Sequence, residues 1–254
     1  MKLITLGTGA GNPSMTRNNS ASYLEVADRG YLIDAGQPLA ASLVRKQIDF
    51  NGIRAVFLTH MHEDHFGGLT GFLKNRMVDG PYCVHLRKDW RGFWPEVWLP
   101  QQDAIDAFDA LMKVQFRGHR RNRILYRLIR PGLFYDDGFL RVSAIPNRHW
   151  LYRDEWLPSY CFLMEAGGKK LLCTGDLAAD LSDFPFEAAE KADLVMCEFT
   201  HHNPMKHLDV FRKIHPGKLV FNHVARANEE MFPQLAVKLD YPAAVAQDGD
   251  EFEF

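Results

Sequence analysis

Four residues of the types that bind divalent metals fall within six positions of this chain: His60, His62, Asp64 and His65, in the stretch Thr59-His60-Met61-His62-Glu63-Asp64-His65. In an extended segment residues i and i+2 face the same way. His60 and His62 can therefore present their imidazoles to one point. Asp64 and His65 come where the chain should turn into a helix, and there they can face a second point nearby. Imidazole and carboxylate without thiolate suit Zn, Mn or Fe in a reactive centre, not a structural Cys-rich zinc site. Three His and an Asp buried together without a cation would leave polar groups unpaired. The bland alternative is a solvated polar loop. The apolar run before the cluster and Gly67-Gly68 after it weigh against that.

Three more candidates stand where apolar runs end. His149 follows residues 140–145, Asp176 follows 171–173 in Thr174-Gly175-Asp176, and His223 follows 219–222. Side chains at the ends of several strands converge on one rim, so the seven residues form a coherent set of nitrogen and oxygen donors. The elements that must position them are read from apolar runs and their punctuation. Strands are expected at 2–6, 20–26, 30–34, 54–59, 81–86, 140–145, 159–165, 170–173, 194–197 and 219–222, with an edge strand within 248–254. Helices are expected at 39–47, 68–74 and 101–115. Trp90, Trp94 and Trp98 recur at helical spacing, although Pro95 interrupts that face. Strands dominate both halves, with helices between some of them. That predicts an α/β (α+β) chain of two sheets with helices outside. No repeat or linker interrupts it, so residues 1–254 read as a single domain.

Composition narrows the classes. Thirty Lys and Arg stand against 32 Asp and Glu, a net charge of −2, which excludes a wholly basic nucleic-acid binder. Apolar residues make up 46% and charged residues 24%, ordinary for a globular chain. The four Cys (Cys83, Cys161, Cys173, Cys197) are scattered and read as reduced thiols, which points to the cytoplasm. No stretch approaches the ~18 uncharged apolar residues of a membrane span, and no leader peptide is expected. The Gly7–Gly11 turn lacks the register of a nucleotide-binding loop.

The 60–65 segment has the H-x-H-x-D-H form of the metallo-β-lactamase superfamily, which the chain resembles over nearly its whole length. His149, Asp176 and His223 follow in that family's order, and Leu32-Ile33-Asp34-Ala35-Gly36 is similar to its early D-x-G segment. The resemblance implies a four-layer αββα sandwich of two mixed β-sheets, with two divalent metals at one edge, Zn or Mn and, as a third choice, Fe. It implies that His60, His62 and His149 hold one metal, that Asp64, His65 and His223 hold the other, and that Asp176 bridges. Asp34 would orient a ligand.

Within the superfamily the chain most resembles the ribonuclease Z and cyclic-phosphodiesterase branch. The likeness lies in Leu6–Pro13, in Arg17-Asn18-Asn19-Ser20-Ala21-Ser22 and in Asn222-His223-Val224-Ala225-Arg226. Glu198 sits where that branch often has an acid. His207, in Lys206-His207-Leu208-Asp209, resembles the general acid of the phosphonate-operon cyclic phosphodiesterase. Ribonuclease Z carries a long tRNA-clamping arm between the residues matching His149 and Asp176. Only 27 positions separate them here, so no arm fits. The expected substrate is a small cyclic or linear phosphodiester, with RNA not favoured, no membrane partner and a homodimer implied by the resemblance.

The implied chemistry is in-line attack on phosphorus by a hydroxide that the two metals share. Asp64 orients it or takes its proton. His207, positioned by Glu198, protonates the leaving oxygen, with His201 and His202 as competitors for that role. His85, His119 and His215 are read as non-catalytic. Residues 117–130 hold six Arg (Arg117, Arg120, Arg121, Arg123, Arg127, Arg130) and no acid. The run either steers a phosphate or binds RNA, or it is simply a solvated face. The three Trp would line a lid over the metals, a subunit interface or a local core. Two other functions use the same features: lactone, thioester or β-lactam hydrolysis at the metals, and RNA processing or binding by the Arg run.

Overall fold

A computed structural model describes residues 1–12, 14–77, 95–115 and 124–254. In chain order the elements begin with β1 (Lys2–Gly7), β2 (Ala21–Val26), β3 (Arg29–Ile33), α1 (Leu39–Arg45), β4 (Ile53–Phe57), α2 (Glu63–Phe66) and α3 (Leu69–Met77). Then follow β5 (Glu96–Leu99), α4 (Gln102–Gln115), β6 (Leu125–Leu128), β7 (Gly132–Asp136), β8 (Arg141–Pro146), β9 (Leu151–Tyr152) and β10 (Glu155–Trp156). The last are β11 (Tyr160–Ala166), β12 (Lys169–Cys173), α5 (Phe186–Glu190), β13 (Leu194–Phe199), α6 (Leu208–Arg212), β14 (Lys218–Val224), α7 (Arg226–Ala236), β15 (Ala243–Val245) and β16 (Glu251–Glu253).

Among the described residues two sheets have seven strands each, in the orders β16-β1-β2-β3-β4-β5-β6 and β15-β14-β13-β12-β11-β8-β7. Both are mixed. The runs β3 to β6 and β12 to β15 are parallel, and the other pairings within the two sheets are antiparallel. Strand alternation decides which neighbour each residue meets. In β12 and β13, Leu171, Cys173, Leu194 and Met196 point between the sheets, against Leu24, Tyr31 and Phe57 of the first sheet. Leu172, Val195 and Cys197 point outward, under Ala189 of α5, Phe211 of α6 and Leu235 of α7. The first sheet's outer face carries Leu32, Val56 and Val97 beneath Leu43 of α1, Phe72 of α3 and Phe108 of α4. The layers are therefore helix, sheet, sheet, helix, as expected. The middle layer is rich in aromatics. Phe57 sits edge-on to Tyr135 and Phe162, at 5.0 and 6.3 Å between ring centroids. Tyr31 remains buried because its hydroxyl donates to Asp137 at 2.7 Å.

Most expected elements appear within a few residues of their predicted bounds. The C-terminal strand is the outermost of its sheet, pairing Phe252 with Leu3. The helical spacing of the tryptophans does not make a helix of Trp98. It lies in β5, hydrogen-bonded between β4 and β6, with its ring 5.1 Å from Phe134. Pro95 just before it cannot continue a helix, and Val97 and Leu99 bury alternately on the helix side. Trp90, Trp94, the 81–86 strand, Cys83, His85, His119 and Arg117 to Arg123 lie outside the described residues. Arg127 and Arg130 are exposed. Cys161, Cys173 and Cys197 are free and buried. Among the described residues no helix is long and apolar enough to cross a membrane.

The backbone is closely packed where the first sheet meets the 60–68 segment. Ala35 donates to the His65 carbonyl at 2.6 Å and Gly68 to the Ala35 carbonyl at 2.7 Å. Gly36 packs so closely that an added Cβ would collide with the Asp64 carbonyl and with Asn19. Gly36→Ala is expected to cost about 1–3 kcal/mol in urea unfolding through this overpacking. It should also weaken metal binding, because the segment it pushes carries Asp64 and His65. An unchanged unfolding midpoint would show that the close approach constrains nothing.

Candidate metal centre

The site is built from strand ends and the loops that leave them. β4 runs into His60, α2 begins just after His62, and β12 ends three residues before Asp176. His149 stands three residues beyond β8, and His223 lies within β14. The pairing of β13 with β14 puts Glu198 opposite Asn222 and Phe199 opposite Val224, so His223 is an extra, bulged residue. Its φ of +50° is left-handed, and such bulges re-aim a side chain. The Val224 N–H donates to the Thr8 carbonyl at 2.7 Å, and the Thr200 hydroxyl donates to the His223 carbonyl, so the irregularity is clamped on both sides. Gly175, at φ +55°, makes the turn that presents Asp176.

The donor atoms form two groups. In the first, His62 Nδ1 lies 3.0 Å from His60 Nε2 and 3.2 Å from His149 Nε2. Asp176 Oδ2 is 3.6 Å from both Nε2 atoms. In the second, Asp64 Oδ2 is 3.0 Å from His223 Nε2 and 3.5 Å from His65 Nε2. Asp176 Oδ1 is 3.4 Å from His65 Nε2 and 3.6 Å from His223 Nδ1. Donors about 2.0–2.1 Å from a tetrahedral cation stand about 3.4 Å apart, so these separations are of the size that donors around a divalent cation require. The unpaired atoms agree. His65 Nε2, His223 Nδ1 and Asp176 Oδ1 are buried with no hydrogen-bond partner, which is costly unless a cation is the partner.

Charge follows burial. Burial, then neighbouring imidazoles, pushes His60 well below the ordinary histidine range. Burial, joined by repulsion from His149 at His62 and from His201 at His149, also lowers these two, so all three favour the neutral form that a metal ligand needs. Burial alone would raise the Asp176 carboxyl, but the charges of His223 and His65 hold it well below the usual carboxylate range. His65 moves the other way: burial would lower it, yet Asp176 and Asp34 raise it well above the ordinary value. Those carboxylates draw positive charge to His65, as a ligand site for a divalent cation must.

A second ring of contacts fixes the ligands. Asp34, left-handed at φ +57°, accepts from the Thr59 N–H at 2.8 Å and the Thr59 hydroxyl at 3.0 Å. Its other oxygen lies 2.7 Å from His65 Nδ1. The Thr59 hydroxyl also sits 3.0 Å from His60 Nδ1. Asn147 Nδ2 donates to the backbone carbonyls of Thr174 and Asp176 at 3.3 and 2.9 Å, which locks the His149 loop to the Asp176 turn. Asp34 was legible in the sequence. Thr59 and Asn147 were not singled out, although each directly precedes or nearly precedes a ligand. Trp150, which packs its ring 4.5 Å from that of His62, was also missed.

Glu198 is buried at the end of β13. It accepts from the Thr200 N–H at 2.6 Å and the His201 N–H at 3.0 Å. His201 Nδ1 stands 3.3 Å from Glu198 and 3.8 Å from Asp176, and His202 Nδ1 stands 3.5 Å from Glu198. His207 caps α6. Among the described residues no hydrogen bond or ion pair joins it to Glu198. The His201 ring also lies 4.6 Å from that of His149. His215 is exposed beside Asp240.

Comparison with known proteins agrees with this geometry. A protein-family profile described as "Anti-Pycsar protein Apyc1" matches residues 1–86. Ribonuclease Z of an Exiguobacterium species is 28% identical over 297 aligned positions that cover 96% of each chain. That alignment is longer than the 254 residues here, so this relative carries insertions. Ribonuclease Z of Oenococcus oeni is 32% identical over 152 residues, 59% of this chain and 45% of its own. Such matches span about half the relative's length. Three solved structures share the fold: the metallo-β-lactamase fold protein YhfI from Bacillus subtilis (TM-score 0.78, 17% identity, 99% of both chains), the short form of human tRNase Z (0.76, 22%, 100% and 99%), and a diphosphatase of the PhnP family (0.69, 17%, 100% and 97%). The chain has the metallo-β-lactamase fold, and its sequence is similar to ribonuclease Z. The seven ligand candidates read from the sequence are brought together at the sandwich edge: His60, His62, His149 and Asp176 form one cluster, Asp64, His65 and His223 a second, and Asp176 and His223 also meet His201 in a third.

In a site of this geometry the second ring of contacts is expected to affect metal affinity. Asp34→Asn keeps the shape of the side chain but removes the charge that faces His65 and Thr59. We expect it to fold normally and to lose 10- to 100-fold in metal affinity, about the usual cost of such a change. Competition with a chelator and elemental analysis measure it, against a wild type holding close to two equivalents per chain. Unaltered affinity would remove Asp34 from the site.

Proposed function

We propose that this chain is a metal-dependent phosphoric ester hydrolase acting on a small cyclic or linear phosphodiester. The observation that carries the reading is that the two oxygens of Asp176 face different donors, Oδ2 toward His60 and His149 and Oδ1 toward His65 and His223, an arrangement that suits a clamp on both sides of a phosphorus centre. The reading takes residues 1–254 as one catalytic domain, since one apolar layer joins both sheets. His60, His62 and His149 would hold one cation, Asp64, His65 and His223 the other, with Asp176 between them; Zn or Mn suits these donors. When bound, the cations supply Lewis-acid neutralisation of phosphoryl charge and a water acidic enough to react near neutral pH. Asp64, 3.0 Å from His223 Nε2 and 3.5 Å from His65 Nε2, would orient that water and take its proton.

Protonation of the leaving oxygen falls to His201 in this reading. Burial would lower its pKa, but the Glu198 carboxylate 3.3 Å from its Nδ1 and the charge of Asp176 raise it above the ordinary value. That shift favours the protonated ring beside the donor groups. His207, the sequence-based choice, lacks any such tie. Preference for a small substrate is supported by the interval from His149 to Asp176. It contains only β9, β10, β11, β12 and short connections, with no arm to clamp tRNA.

A substrate panel tests the proposal. The metal-loaded chain should hydrolyse bis-p-nitrophenyl phosphate and 2′,3′-cyclic nucleotides, and His60→Ala should abolish turnover. His201→Ala should lose about 10²–10⁴-fold on an alkoxide leaving group, much less on p-nitrophenolate, while His207→Ala should keep the wild-type ratio. Turnover of lactones or thioesters alone would overturn the phosphodiester reading. Salt-sensitive RNA binding that survives metal removal, with no turnover, would assign the exposed Arg127 and Arg130 face instead.

A further inference from the structure

Directly after the ligand His149 the chain makes a short hairpin that the site described so far does not use. β9 and β10 pair Tyr152 with Glu155 and Leu151 with Trp156. Arg153 and Asp154 form the turn with φ of +46° and +66°, the left-handed pair that a two-residue hairpin loop needs. The base is pinned. Leu157 donates its N–H to the Trp150 carbonyl at 2.8 Å, and Asn147 donates to the Ser159 carbonyl at 3.0 Å. The Arg148 N–H donates to Asp183 at 2.7 Å. The hairpin is thus held at a set position beside the first donor group.

Its aromatic side chains have a direction. Trp150 packs on His62 with 4.5 Å between ring centroids. Side chains alternate along a strand, so Tyr152 shares the Trp150 face, whereas Leu151 and Trp156 share the other. Tyr152 is 52% exposed. Its only ring partner among the described residues is the Arg153 guanidinium, 5.1 Å away. Two residues of extended chain separate Trp150 from Tyr152 by about 6.6 Å along the backbone, so both rings stand along the same edge of the hairpin beside the first donor group. The rim of that face is polar, with Arg153 and Glu155, which suits the hydrogen-bonding edge of a base better than an alkyl chain.

We propose that Trp150 and Tyr152 form a stacking platform for the base of a nucleotide phosphodiester whose phosphate lies at the two donor groups. The proposal rests on the phosphodiesterase reading above and narrows it to base-bearing substrates. Every base has a π-face, so the platform selects for a base without choosing which one.

The test compares adenosine 2′,3′-cyclic phosphate with glycerol 1,2-cyclic phosphate, which has no ring, on the metal-loaded chain. Tyr152→Ala touches no ligand. It should lower the ratio of kcat/KM for the two substrates by about 10- to 100-fold, the factor that losing one base–aromatic stack implies. The loss should lie in KM, and Tyr152→Phe should restore the ratio. Binding is read independently: adenosine 5′-monophosphate should quench tryptophan fluorescence in the wild type, ribose 5-phosphate should not, and Tyr152→Ala should weaken the former by the same factor. Equal losses on both substrates overturn the proposal, as does equal quenching by both monophosphates. An altered oligomeric state in Tyr152→Ala with an unchanged ratio also overturns it and assigns the face to a second copy of the chain. If no phosphodiester is turned over while adenosine monophosphate still quenches through Tyr152, the platform stands and the phosphodiesterase reading falls.

Discussion

Asp176 lies buried within 3.4–3.8 Å of imidazole nitrogens from five residues, His60, His65, His149, His201 and His223. A lone carboxylate taken out of water costs several kcal/mol, and five neutral rings around it would not offset that. The arrangement is stable only when positive charge is shared between the carboxylate and the rings. Protons can supply part of it at His65 and His201, and divalent cations supply all of it. The rest of the edge is organised around that need. Five chain segments end at one rim, and each contributes its donor where the backbone leaves the sheet.

Rings delivered from separate strands must also be held at fixed orientations, and the fold does this with short polar ties. Asp34 touches the second donor group through His65 and reaches the first through Thr59 and His60. Asn147 fastens the loop of one ligand to the turn of another. Asp34 and His223 both sit at left-handed φ, an unfavourable conformation for residues with a Cβ that persists where surrounding contacts over-determine it. Strain, burial and charge therefore concentrate on the same few residues.

Legibility in the sequence tracked distance along the chain. His60, His62, Asp64 and His65 are neighbours, so their spacing alone announces them. His149, Asp176 and His223 are visible as polar residues closing apolar runs, because burial on both faces of a sheet leaves that pattern. The strand order, the sharing of Asp176 and the ties from Asp34 depend on pairings between distant segments, which no local pattern encodes. Trp98 stays open between helix and strand in the sequence, because helical spacing and strand alternation are hard to separate around a proline. The partner of Glu198 misled for a different reason. Eight residues separate it from His207, whereas His201 and His202 stand three and four positions on, with Nδ1 atoms 3.3 and 3.5 Å from its carboxylate.

The bulge at His223 has a consequence for how such a protein can change over time. A chain shorter by that one residue would keep β13 and β14 in an unbroken ladder, since Asn222 and Val224 already hold their partners. The sandwich would survive and the ligand would be gone. A single-codon deletion can thus separate folding from chemistry here, leaving a well-packed scaffold free to serve as a binding protein. The irregular rung, which contributes nothing to the regularity of the sheet, records that the scaffold is kept for its chemistry.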